Sequence, residues 1–375
     1  MSTTASPNTA ATTSSTTNDD SAYQNPLDSS PRWMLSARAA VLRYAATAGF
    51  GAANFSTRAA SKDIWLDTTL SLKSGHAGVS KIRVDIWYPP GVSASAPNKQ
   101  PSVTTPTSPS SSRETRAAGR PAIINFHGGG FILGQGTDDA RWAAEASATL
   151  DAVVFSVNYR LAPAYPFPVP VEDCADAILQ IVARADEFSV DSNRGIFLSG
   201  FSAGGNLALA AWTLLQRPEE WGYELPTISP PPIAGIALFY PSLDFTKTRS
   251  DKRAKVSRPD LTLSTGLTDL FDVSYLFPKI PAANRNDPRL SPGLMDDELL
   301  AKIPAAHMCI CEHDMLAAEG LEFINRLKKL GKPATHRMVM GEQHGWDKVP
   351  TFSPKANVAE EYHAALEAMK SWMDG

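Results

Sequence analysis

Short apolar runs recur along the chain from residue 122 onward, at 122–126, 152–157, 195–199, 234–239, 305–310 and 335–340, and each predicts a strand. They are nearly continuously apolar, as strands covered on both faces must be. Between them apolar positions fall at helical spacing around 138–150, 171–186, 203–216, 316–330 and 355–373. This strand–helix alternation specifies a mainly parallel sheet with helices on both faces, an α/β fold. Two earlier strands, 65–72 and 81–88, bring the expected sheet to eight strands, the second alternating Ile82, Val84 and Ile86. The block 245–300 carries no predicted strand and is expected to cover the carboxyl edge of the sheet. The Ala-rich stretch from Trp33 to about Ala60, interrupted by Arg38 and Arg43, predicts one or two helices with an apolar stripe. Such a stripe packs onto a core; a flap over a pocket and a contact with a membrane surface are the other roles it fits.

Composition changes the picture at two places. Fourteen of the first 31 residues are Ser or Thr, so 1–32 is expected to be a disordered tail that cannot offset its ordering entropy by burial. The Ser/Thr/Pro-rich stretch 91–119 reads as a loop inserted in a single catalytic domain spanning 33–375. The chain is 43% hydrophobic with a net charge of −4, enough for a sizeable core. It has no clustered Lys/Arg run, so nucleic acid is not an expected partner. Cys174, Cys309 and Cys311 are too few for a disulfide framework, and Cys309 and Cys311 are expected on opposite faces of a strand. The N-terminus has neither a basic nor an apolar signal region, and no apolar run reaches the roughly 18 residues of a membrane span. A cytoplasmic protein without an integral span is therefore expected.

The strongest local signal is Gly200-Phe201-Ser202-Ala203-Gly204-Gly205, between a predicted strand and a predicted helix. A serine on such a sharp turn is lifted out of the sheet, and its small neighbours tolerate the strained backbone. The second is His127-Gly128-Gly129-Gly130-Phe131, directly after the strand at 122–126. Consecutive glycines leave N–H groups open to a ligand, which acyl transfer requires at the oxyanion of its tetrahedral intermediate. Gly128, Gly129 and Ala203 are the expected donors. No GK[ST] follows, which argues against a phosphate loop, and His127 is expected to anchor the glycines rather than act as a base.

A nucleophilic serine needs a base and a group to orient it. Of the seven histidines, His344 in GEQHGW follows the last apolar strand, where a loop can carry an imidazole over the sheet edge. His76 lies in an early loop, His307 and His336 in strands, His363 in the terminal helix, and His313 immediately before an acid. Asp314 opens a helix after the strand at 305–310 and is the expected orienter; Asp244, at the end of the preceding strand, is its rival. The order Ser202, Asp314, His344 is that of α/β-hydrolases.

HGGGF, YRLAPAYPFP at 159–168, GFSAGG, DPRLSP at 287–292, DMLAAEG and HGW together resemble the hormone-sensitive lipase family of α/β-hydrolases, over about 120–350. The resemblance implies Ser202 as nucleophile, His344 as base and then acid, Asp314 as orienter, and a cap formed by about 33–60 and 245–280. It implies hydrolysis of small-to-medium carboxylic esters by a monomer or homodimer, with no cofactor and no metal. Acyl transfer, lactone hydrolysis and a specialised-metabolite step use the same triad; ligand binding without turnover, as in related hormone receptors, goes with loss of the histidine, which this chain keeps. The family usually has an acid before the nucleophile, where this chain has Phe201. Phe131 and Phe201 are expected to line the substrate pocket, with Trp346 nearby.

Overall fold

A computed structural model describes residues 25–72, 80–92, 119–226, 231–349, 351 and 353–373. Its strands are β1 (Lys62–Asp67), β2 (Lys81–Trp87), β3 (Ala122–Phe126), β4 (Val153–Asn158), β5 (Ile196–Phe201), β6 (Gly235–Phe239), β7 (Ala305–His313) and β8 (Ala334–Gln343). They form one sheet in the order β1-β2-β4-β3-β5-β6-β7-β8. β2 runs antiparallel to β1 and β4; every other pairing is parallel.

Successive side chains of a strand point to opposite faces, and the core divides accordingly. Ile124, Phe155, Leu198, Leu238 and Met308 lie in one buried cluster with residues of α1 (Arg32–Ala53), α3 (Val169–Ala183), α4 (Ala203–Gln216) and α8 (Ala317–Lys329). Ile123, Val154, Phe197, Ala237 and Cys309 lie in the other, under α2 (Ala140–Thr149) and α9 (Ala356–Met373). Cys311 shares that second cluster, so Cys309 and Cys311 face the same way, contrary to expectation. Residues two apart on a strand share a face. All three cysteines are free and buried.

The first strand is shorter than its apolar pattern suggests. β1 ends at Asp67, and Leu70–Leu72 is a 3-10 turn rather than strand. The cause is Asp176, whose buried carboxylate accepts the Thr69 and Leu70 N–H groups at 2.7 and 3.0 Å and draws the chain out of the ladder. β7 and β8 run beyond their apolar cores, because they pair with each other as far as His313 and Gln343. The Ala-rich segment is one helix, α1, not two.

No strand interrupts 245–300; the segment carries α5 (Arg249–Arg253), α6 (Thr265–Tyr275) and α7 (Asp297–Leu300). A capping box between Thr248 and Asp251 starts α5. α8 has Glu319 in its first turn and Arg326, Lys328 and Lys329 in its last, matching the helix dipole. The expected tail falls largely on residues 1–24, the inserted loop on 93–118, and His76 on 73–79; these lie outside the described residues. Among the described residues no helix is long and apolar enough to cross a membrane.

Candidate active site

The carboxyl ends of β3, β5, β7 and β8 lie along one edge of the sheet, where parallel α/β folds place their ligands. Ser202 follows β5 with φ 52° and ψ −115°, a conformation rare for any residue with a side chain, and caps α4. The turn is held by backbone. Ser202 N–H donates to the Phe239 carbonyl at 2.8 Å, and its own carbonyl accepts from Gly205 at 3.1 Å and Asn206 at 3.2 Å. The flanking glycines are sterically required: a Cβ at Gly200 would lie 2.3 Å from the Gly204 carbonyl oxygen. Asn206 secures the helix start by donating to the carbonyls of Ser242 (2.8 Å) and Leu290 (2.9 Å).

His344 stands between the serine and a buried acid. Its Nε2 lies 2.8 Å from Ser202 Oγ, and its Nδ1 lies 2.6 Å from Asp314 Oδ2. With Nδ1–H donating to the carboxylate, Nε2 is free to accept the serine hydroxyl proton. Asp314 is 1% exposed, and its other oxygen accepts the Leu316 N–H at 3.0 Å. Asp244 is turned away to its own loop, accepting from Thr246 N–H at 2.8 Å and pairing with Lys247 at 3.1 Å. Burial raises the Asp244 pKa, but the Thr246 and Lys247 hydrogen bonds outweigh it and hold the carboxyl below its usual range.

The glycine loop reaches the same point. An added Cβ at Gly128 would sit 3.5 Å from Ser202 Cβ, while Gly129 and Gly130 have φ of 116° and 58°. Ala203 begins α4 beside them, so its N–H belongs to the orphan donors of a helix N-terminus. His127 anchors the loop: it is 1% exposed, stacks on Tyr159 at 4.2 Å, and its Nδ1 lies 2.7 Å from the Gly128 carbonyl. Burial holds its pKa below the usual histidine range, so the ring is neutral near pH 7.

The two expected pocket aromatics are both buried, in different core clusters. Phe131 stacks on Tyr275 of α6 at 3.7 Å, and Phe271 of the same helix covers Gly130. Phe201 lines no pocket. It is 0% exposed and stacks on Phe239 within the core under α2 and α9, because a strand residue one place before the elbow points into the sheet's other face. Trp346 is buried in that cluster too. Sequence reasoning placed Tyr159 in the YRLAPAYPFP motif but gave it no role, and it holds the glycine-loop histidine; it missed Tyr240, whose ring meets His344 at 4.8 Å. Both directly follow strand ends, and for Tyr240 that is the only local signal. Among the described residues no group of three His, Cys, Asp or Glu side chains is placed to hold a metal.

Residues 123–348 match the family model described as an alpha/beta hydrolase fold. The chain belongs to the α/β-hydrolases, in their hormone-sensitive lipase-like branch. This α/β-hydrolase is 32% identical over 277 residues to arylacetamide deacetylase of Bos taurus, covering 60% of this chain and 68% of that protein. It is 30% identical over 237 residues to an arylesterase of Saccharolobus solfataricus, covering 63% and 71%. Among solved structures it is similar to EstE1, a thermophilic carboxylesterase cloned from a metagenomic library, with 26% identity, a TM-score of 0.66 and coverage of 90% and 97%.

Proposed function

We propose that this α/β-hydrolase is a serine carboxylesterase acting through an acyl-enzyme on small-molecule carboxylic esters of small-to-medium acyl length. The observation that carries the reading is the continuous relay from Ser202 Oγ through His344 to Asp314, at 2.8 and 2.6 Å. Ser202 Oγ attacks the ester carbonyl carbon while its proton passes to His344 Nε2, and the carbonyl π electrons move onto oxygen. The N–H groups of Gly128, Gly129 and Ala203 stabilise that oxyanion. Collapse breaks the bond to the alcohol oxygen, which leaves with the Nε2 proton. Water then attacks the acyl-enzyme, giving a proton to Nε2, and the acid departs as the proton returns to Ser202. Asp314 keeps the imidazole in the required tautomer and stabilises its charged form.

Relatives named as an arylesterase and an arylacetamide deacetylase support acyl-group hydrolysis as the reaction class. α1 and the segment 245–280 form the cap: α1 packs against α6, and α6 places Phe271 and Tyr275 against the glycine loop. The enzyme acts as a monomer or homodimer in the cytoplasm; the site is assembled from one chain, and three reduced cysteines suit a reducing compartment.

Hydrolysis of p-nitrophenyl esters from acetate to palmitate, measured beside Ser202→Ala, tests this. Turnover in the parent, lost in the variant, is expected, with an optimum at shorter chains. A folded parent without turnover on any ester, or an equally active variant, overturns the reading.

A further inference from the structure

The loop that carries His344 continues into a half-buried cation set against buried carboxylates. Lys348 Nζ lies 2.7 Å from Asp139 Oδ1 and 3.1 Å from Asp347 Oδ2, with both carboxylates 2% exposed or less. The same ammonium stands 3.5 Å from the centroid of the Phe201 ring, directly before the proposed nucleophile. Each carboxylate is tied onward to a different element. Asp347 accepts the hydroxyls of Tyr240, after β6, and of Tyr362, on α9, the latter at 2.6 Å. Asp139 accepts from Asn125 at 2.8 Å, on the strand that leads into the glycine loop. Tyr240 in turn lays its ring edge-on to His344.

We propose that Lys348 is a positioning residue that clamps the His344 loop to the base of the oxyanion loop and to the residue preceding Ser202. A surface lysine would hold nothing so firmly, since exposed ion pairs contribute little. This one is half-buried, its charge is balanced by two carboxylates, and its third neighbour is a π face. Burial by itself would lower the lysine pKa, but Asp139 and Asp347 hold it above the usual range, so it remains charged. The departure at position 201 then has a physical sense. An acid there would be a third carboxylate around one ammonium, whereas an aromatic ring accepts the cation without adding charge. The Ser202–His344 contact joins residues 142 apart in sequence, and nothing local fixes its length. A clamp four residues beyond the histidine supplies that constraint.

This inference rests on the serine-hydrolase reading, and its test separates the two. In Lys348→Met the chain length is kept and the charge removed; in Asp139→Asn/Lys348→Met one of the two carboxylates left without the ammonium is removed as well, and Asp347 keeps its two tyrosine donors, so that the fold is retained. Both are measured with a p-nitrophenyl ester and by the rate at which an organophosphonate labels Ser202. A displacement of about 1 Å at the reacting atoms costs roughly 100-fold, so kcat and the labelling rate are expected to fall together by about 10- to 100-fold. KM should stay within about threefold, and the double variant should regain thermal stability without regaining kcat. A folded double variant with kcat within twofold of the parent, or one whose loss lies entirely in KM, overturns the clamp alone. A parent that neither turns over ester nor labels at Ser202 overturns both readings.

Discussion

Gly204 lies so close to Phe126 that a Cβ on it would stand 1.9 Å from the Phe126 carbonyl oxygen. This approach joins the two loops of the site: Gly204 is in the first turn after Ser202, and Phe126 is the last strand residue before the glycine loop. The colliding atoms are backbone, with the His127 carbonyl oxygen next at 2.5 Å, so no side chain can swing aside. Gly204→Ala should therefore separate the Ser202 turn from the glycine loop. We expect kcat/KM to fall by at least about 100-fold, with a lower melting temperature.

The two aspartates that compete in sequence should differ sharply in kinetics. Asp314→Asn leaves His344 without its acceptor and favours the wrong tautomer, a change worth about 10⁴-fold in kcat where it has the same role. Asp244→Asn alters a loop pairing with Thr246 and Lys247 and should leave kcat within about threefold. Steady-state kinetics of both variants on one ester decides it; equal damage would reverse the assignment.

Phe201 behaves as core, not as pocket. Phe201→Ala should cost about 3–5 kcal/mol of stability through the cavity left among Trp142, Phe239 and Tyr362, while KM changes less than twofold. Chemical denaturation and a KM determination on the same preparation distinguish these effects. A large rise in KM would place the ring against substrate.

The segment 245–300 is pinned by a buried ion pair. Lys252 of α5 meets Glu319 of α8 at 2.7 Å, with side chains 4% and 6% exposed, and Glu319 also accepts the Leu243 N–H at 2.8 Å. Removing one partner strands the other charge, so Lys252→Met should destabilise by about 3–5 kcal/mol. Adding Glu319→Gln, which keeps an acceptor for Leu243, should recover most of that loss in urea denaturation.

Stability should also fall on mild acidification because of His307. Burial first, with Arg337 and His336 nearby, pushes its imidazole down to about 4 from the ordinary 6.5. The unfolded chain thus takes up the proton before the folded one. The stabilisation is complete above about pH 6.5 and is lost as pH falls toward 4, amounting to about 2 kcal/mol between pH 7 and pH 5. His307→Gln should flatten the pH dependence of unfolding by that amount, and an unchanged slope would show that the histidine is not responsible.

Much of this was legible in the chain. Among the described residues, β3 to β7 follow directly from apolar runs, since strands covered on both sides leave no room for polar alternation; β8, at the sheet edge, leaves Thr335, Arg337 and Met340 exposed and follows from the Met338–Met340 run and its place in the alternation. The elbow and the glycine loop are equally legible, because strained backbone and close approach admit only small residues at fixed spacing. The end of β1 was not, because the Asp176 that draws Thr69 and Leu70 from the ladder lies more than 100 residues away. Nor was the burial of Phe201, whose position beside a motif says nothing about which face of the sheet receives it.

The sequence by itself determined the alternation of strands and helices, the turn that presents Ser202, the loop that presents the glycine N–H groups, and the chain order of serine, acid and histidine. Each rests on local conformational preference or short spacing. Only the tertiary structure decided that Asp314 rather than Asp244 meets His344, that Phe201 turns into the core, and that Lys348 joins two buried carboxylates beneath the site. Those outcomes depend on which distant groups share one desolvated space, where an unpaired charge is costly and a paired one is held in place.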